Sequence, residues 1–252
     1  MKNNKLIYGL ALIFLAAVIF YIGSDLSSRS FFRNGKNGNS LNVADSFSIA
    51  SIKSFTTDCN CDIELIESTE EKVVFFYDKK YHQNKSEYLN NELNVDFESK
   101  ESNFLNFDNA PNIKVKVYCK SLEKITQTGV GDLTNKGTLT AENLTIVNEG
   151  VGDIDLLIKT GQLNVTNDGV GDINIKGESI SASFINEGTG NVDAEKLVSK
   201  SSKVINSGVG NVDVYASDTL NLTNSGVGDI DYSGTGIITS IITDGVGHIN
   251  KK

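Results

Sequence analysis

The stretch "NSGVGDID" at residues 224–231 sets two glycines around one small residue and follows them with two carboxylates. Taken alone, it suits a phosphate cradle or a calcium loop. Taken with the rest of the chain, it is one of a series: "TGVGDL" at 128–133, "NEGVGDID" at 148–155, "NDGVGDIN" at 167–174, "NEGTGNVD" at 186–193, "NSGVGNVD" at 206–213 and "TDGVGHIN" at 243–250. Successive copies lie 18 to 21 residues apart, a period that fits one supersecondary unit in a stacked array. A phosphate loop needs a single Gly-rich turn between a strand and a helix. Calcium-binding "GGxGxDxU" arrays repeat every nine residues or so, about half this interval. The motif is therefore architecture first: the corner of a coil.

Around that corner the repeats align as columns. Alternating apolar residues precede the shared Asn: Leu144 and Ile146, Leu163 and Val165, Ala182 and Phe184, Leu220 and Leu222. One more follows each corner, at Leu133, Ile154, Ile173, Val192, Val212, Ile230 and Ile249. Period-2 alternation puts these on one face, and stacking buries each column in a narrow core. Asn148, Asn167, Asn186, Asn206 and Asn224 share the inward parity. An inward polar column needs each amide to bond the next amide or the turn backbone. The neighbouring glycines permit positive φ or close backbone approach.

Strict alternation from the Asn column points Val130, Val151, Val170, Thr189, Val209, Val227 and Val246 outward, as an apolar stripe along the axis that would mark a partner surface. A bend at the glycines would instead tuck them into the core, and both readings stay open. Two further columns carry acid: Asp132, Asp153, Asp172, Asn191, Asn211, Asp229 and His248, then Asp155, Asn174, Asp193, Asp213, Asp231 and Asn250. Coils about 4.8 Å apart bring these carboxylates into repulsion. Solvated outer faces are the expectation, with calcium binding as the alternative.

Composition agrees with an all-β chain: 252 residues with 23 Gly, one Pro and no Trp favour strands and tight turns. A net charge of -9 and the lack of arginine after Arg33 leave no basic patch for nucleic acid. Residues 6–22, "LIYGLALIFLAAVIFYI", form an uncharged apolar run behind Lys2 and Lys5, read as an uncleaved membrane anchor with the N-terminus cytoplasmic. Secretion after signal cleavage is the alternative. Residues 1–23 are thus an anchor or signal helix, 24–43 a Ser/Asn/Gly-rich tether, and 44–252 the solenoid. Within it, 44–124 reads as irregular early coils that cap the regular repeats of 125–252. Strand-like runs there include "FSIASI" at 47–52 and "IKVKVYC" at 113–119.

Three cysteines leave one over in an exported chain. Cys59 and Cys61 would stand parallel on one strand, too far apart to bridge easily. Cys119 could meet either from a neighbouring strand, and three unpaired buried thiols are the other reading. No zinc spacing, GxSxG or HExxH occurs, and neither a cofactor nor a catalytic residue is expected.

The segment "KVKVYCKSLEKITQTGVGDLTNKG" at 114–137, with the Gly-x-Gly-Asp steps after it, resembles the family called putative auto-transporter adhesin, head GIN domain, common in Bacteroidota. The resemblance runs from about residue 46. It implies a right-handed parallel β-helix of exported proteins and brings no catalytic residues. This chain reads Gly-Val-Gly-Asp where the family usually has Gly-Ser-Gly-Asp. The expected function is non-enzymatic: an envelope or surface solenoid that binds a protein or glycan, monomeric in isolation because Lys251 and Lys252 discourage end-to-end stacking. A β-helix lyase or glycosidase is the alternative, although repeats so uniform leave no long loops to wall a cleft.

Overall fold

The computed structural model describes residues 43–100 and 112–252. The expected anchor helix of 1–23 and nearly all of the 24–43 tether lie outside the described residues. Among those described there are twenty strands and no helix, so none long and apolar enough to cross a membrane. Ahead of residues 101–111 come β1 (Val43–Ser48), β2 (Ser54–Asp58), β3 (Cys61–Glu67), β4 (Lys72–Phe76), β5 (His82–Asn84), β6 (Glu87–Leu89) and β7 (Glu92–Ser99). After them come β8 (Ile113–Cys119), β9 (Lys124–Gln127), β10 (Leu133–Lys136), β11 (Leu139–Asn148), β12 (Ile154–Asn167) and β13 (Ile173–Asn186). The chain ends with β14 (Val192–Ala194), β15 (Leu197–Asn206), β16 (Val212–Tyr215), β17 (Thr219–Asn224), β18 (Ile230–Ser233), β19 (Ile237–Thr243) and β20 (Ile249–Lys251).

From β9 onward each coil pairs in parallel with the next, in a register that places like residues on like. Ile146 stacks on Val165, Val165 on Phe184, Phe184 on Val204 and Val204 on Leu222. A second column runs Ile154, Ile173, Val192, Val212, Ile230, Ile249. Its members up to Ile230 are buried, each worth about 1.5–3 kcal/mol of apolar burial. A coil only two or three strands long gains this only when another coil covers it. Corner residues are joined by seven backbone bridges, so the solenoid has about seven turns.

The first half departs from the expected order. β2 and β3 form a coil that lies between β9 and β10 on one side and β7 and β8 on the other. The coil of β7 and β8 is later in sequence but outermost in space. Antiparallel strands cover its edges: β4 on β8, β1 on β4, and β5 and β6 on β7. An end coil left bare would offer unpaired N–H and C=O groups to another chain. The aromatic residues serve this cap, with Phe75 between Phe47 and Phe97, and Tyr77 edge-on to Phe97. The expected strand at 47–52 is corrected too: β1 ends at Ser48 and the missed strand is β2, "SFTTD". Only Phe55 and Thr57 of β2 face inward, so its sequence looks polar.

The opposite end carries no such cover among the described residues. Ile238 and Ile241 continue the columns of Leu220 and Leu222, yet both are exposed, as are Ile237 and Ile242. Lys252 turns its Nζ back to Asp213 and Glu195, while Lys251 stays exposed at this edge. We expect Leu222→Ala to lower stability by about 2–5 kcal/mol and Ile241→Ala by under about 1.5 kcal/mol, measured by urea unfolding.

Candidate functional surface at the glycine corner

Each corner begins where a strand has filled its inner side and the chain must turn without room for side chains. A Cβ on Gly169 would lie 2.3 Å from the carbonyl oxygen of Gly150 in the coil below. At Gly171 the φ of 144° is one that only glycine adopts freely, and a Cβ there would lie 2.1 Å from the Gly152 carbonyl oxygen. The β2–β3 coil carries cysteines at this corner. Asn60 bridges Val130, so Cys59-Asn60-Cys61 takes the place of Gly-Val-Gly. The expectation that these two cysteines would not easily bridge each other is overturned: β2 stops at Asp58, the chain turns, and Cys59 and Cys61 form a disulfide with a Cα separation of 5.4 Å. The alignment of "DCNCD" with "TGVGD" was the available signal. Cys119 is free and buried, its thiol pushed up to about 12 by burial and the Glu71 carboxylate.

Two hydrogen-bond ladders line the corner. Inside, Nδ2 of Asn148 donates to Oδ1 of Asn167 at 3.0 Å, and the relay passes through Asn186 and Asn206 to Asn224 at 3.1, 3.1 and 3.2 Å. The same amides reach across the turn: Nδ2 of Asn186, Asn206 and Asn224 donates to the carbonyls of Gly190, Gly210 and Gly228. All five Asn side chains are buried, with Gln127 and Thr57 extending the column below them. Outside, the Asp column is more than a solvated face. Asp132 Oδ1 accepts the backbone N–H of Asp153 at 3.0 Å, Asp153 that of Asp172 at 2.8 Å, and Asp172 that of Asn191 at 2.7 Å. Asn191, Asn211 and Asp229 repeat the bond up to His248. Aspartate and asparagine alternate freely because both offer Oδ1. In the next column Lys176 pairs with Asp155 at 3.0 Å, and Asn250 donates to Asp231. Among the described residues no three His, Cys, Asp or Glu side chains are grouped to hold a metal ion.

The valines stand on the outer side of the same turn. Val130, Val151, Val209 and Val227 are 39–51% exposed and Val246 is 70% exposed, with Val170 and Thr189 half-buried. Of the two readings the sequence left open, the structure has the outward one. The cause is the Asn ladder, whose amides already fill the inner side. The backbone of the column is satisfied, with Val170 N–H donating to Gly150 and its carbonyl accepting from Gly152 at 2.9 Å. Only side chains are on offer.

A second feature escaped the sequence reading, which expected no cleft. Where the coils bend at Gly161, a shallow trough of about 570 Å³ runs across several of them, walled by Ile180 and Val198. Its floor hydroxyls are spent on carbonyls: Thr160 on Gln162, Ser179 on Ser181, Ser199 on Tyr215. The parity break at Thr160-Gly161-Gln162 was the signal. Glu178 is the one carboxylate lining the trough, and it pairs with Lys159 at 3.0 Å. Two facing carboxyls, as glycoside hydrolysis requires, are not among the lining residues.

These features define a parallel β-solenoid that presents repeated surface columns. The chain belongs to the family described as putative auto-transporter adhesin, head GIN domain, whose pattern it matches over residues 54–236. A putative adhesin from Bacteroides fragilis has a similar structure, with 26% identity, a TM-score of 0.75, and 82% of this chain and 95% of that one covered. A putative adhesin from Parabacteroides merdae is 19% identical with a TM-score of 0.62, covering 86% and 98%. A protein titled putative lipid binding protein, from Parabacteroides distasonis, is 21% identical with a TM-score of 0.61, covering 82% and 96%. No curated protein matches the chain.

Asp153 combines the site's electrostatics in one residue. Burial raises its pKa above the ordinary aspartate value; the N–H of Asp172 opposes this, and the carboxylates of Asp172 and Asp132 add to it. With a raised folded pKa, ionisation of Asp153 opposes folding, and stability from this group rises as pH falls through the carboxylate range. Asp153→Asn keeps the Oδ1 acceptor and removes the charge. We expect it to raise Tm at pH 7, with the gain vanishing below about pH 3.

Proposed function

We propose that this protein is a non-enzymatic envelope or surface solenoid that binds a partner along the valine column. The observation that carries this is the column itself: β-branched side chains held in register on backbone bridges, exposed at Val130, Val151, Val209, Val227 and Val246 and half-buried at Val170 and Thr189. Exposed apolar residues gathered in a row are the usual mark of an interaction surface. In this reading residues 1–23 anchor the chain in a membrane, 24–43 tether it, and the solenoid lies on the periplasmic or extracellular side as a monomer. Its coils are right-handed, in keeping with the right-handedness of about 98% of parallel crossovers. A protein partner is favoured over a glycan, because the repeats offer few aromatic platforms beyond Tyr215 and Tyr232.

The test is capture from envelope extract by residues 41–252, a compact unit with its own core, beside the variant Val151→Ser, Val209→Ser, Val246→Ser. The expected result is a variant with unchanged circular dichroism that loses a partner. Retention of every partner by the folded variant contradicts the reading.

A further inference from the structure

The valine column has a border, and the border has a sign. Glu149, Asp168, Glu187 and Asp244 precede it by two residues, with exposed side chains, and Thr128, Ser207 and Ser225 hold that place in the other coils. Asp132, Asp153, Asp172 and Asp229 follow it by two, with Asn191, Asn211 and His248 at that place in the other coils, and each carboxylate commits one oxygen to the next coil's backbone. None of the seven corner segments contains lysine or arginine. An apolar line between two rows that carry eight carboxylates and no lysine or arginine repels anything anionic: nucleic acid, acidic glycan, anionic lipid, and the same column of a second copy. The partner that complements it carries an apolar row with positive charge on both sides.

Spacing narrows the form of that partner. Coils recur about every 4.8 Å, so the six steps from Val130 to Val246 span about 29 Å. An extended strand laid along the axis repeats its side chains at about 6.7 Å and falls out of step by about 2 Å per coil. A helix repeats its face every 5.4 Å or so and drifts only about 0.6 Å per coil. Building on the valine-column reading, we propose that the column receives a basic amphipathic helix of about 19 residues, its apolar face on the valines and its Lys or Arg side chains over the two carboxylate rows. Rim pairs of this kind are screened and individually weak, so they set partner choice and association rate while the valines hold the complex.

The probe is a fluorescent helical peptide of leucine and lysine, about 19 residues long, with a leucine–glutamate peptide as its counterpart, titrated into residues 41–252. The lysine peptide should bind and the glutamate peptide should not. The variant Glu149→Gln, Asp168→Asn, Glu187→Gln should weaken binding about tenfold, as should raising salt from about 20 to about 300 mM. A control that removes as much charge elsewhere, Glu92→Gln, Glu142→Gln, Asp218→Asn, should change it less than about twofold. Equal losses in the two charge variants, or no binding of the lysine peptide, overturn the proposal. If the lysine peptide fails while the serine variant still loses its envelope partner, the basic-helix proposal falls and the valine-column reading stands. If the serine variant keeps that partner, both fall.

Discussion

Everything in this solenoid follows from backbone lying directly on backbone at the glycine corner. Gly169 sits over Gly150 and Gly188 over Gly169, with carbonyl oxygens where a Cβ would have to be. This contact lets coils approach at the strand spacing on the turn as well as on the strands. It also leaves the turn without side chains to fill its inner side. The Asn column fills that space, bonding upward to its own kind and inward to the turn. An amide suits the position because it both donates and accepts, so each copy satisfies its neighbours without charge. The same geometry forces the intervening residue out. An apolar stripe on the surface is therefore a consequence of a polar ladder in the interior.

The two ladders divide the labour of specificity. Apolar columns such as Ile146 to Leu222 tolerate Val, Ile, Leu or Phe, so they would accept several registers. A slip of one coil's pairing would break both the Asn relay inside and the Asp-to-backbone relay outside, leaving buried amides unpaired at about 1–3 kcal/mol each. Register thus rests on polar bonds and stability on apolar burial. The outward residue is released from both duties, and threonine can replace valine at position 189 without disturbing either ladder.

The regular half was legible because one period governs every column: once the glycines are aligned, parity places Asn148 and Ile154 inward without further information. The first half was not, for two physical reasons. Its coils stack out of chain order, with β7 and β8 outside β2 and β3, and no local pattern announces a chain that returns beyond its own start. Its strands also obey different neighbours, as with β2, whose Ser and Thr residues look like a loop until Phe55 and Thr57 are seen to face inward. The cysteines follow the same rule: "CNC" reads as strand by alternation and as corner only when aligned with the Gly-Val-Gly of the next coil, where Asn60 bridges Val130. On the surface, the acid columns were visible in sequence. Their hydrogen bonds to the next coil were not, since these depend on how the turn aims the backbone N–H.

The measurement that tests the corner most directly compares adjacent residues on its two sides by urea unfolding. Gly188→Ala adds a Cβ that would lie 2.2 Å from the Gly169 carbonyl oxygen, while Thr189→Ala trims a side chain on the outer face. If stacked backbone holds the coils together, Gly188→Ala lowers stability by at least about 2 kcal/mol and Thr189→Ala by under about 0.5 kcal/mol. A Gly188→Ala protein as stable as the parent would show that the corner has room to spare and contradict the account.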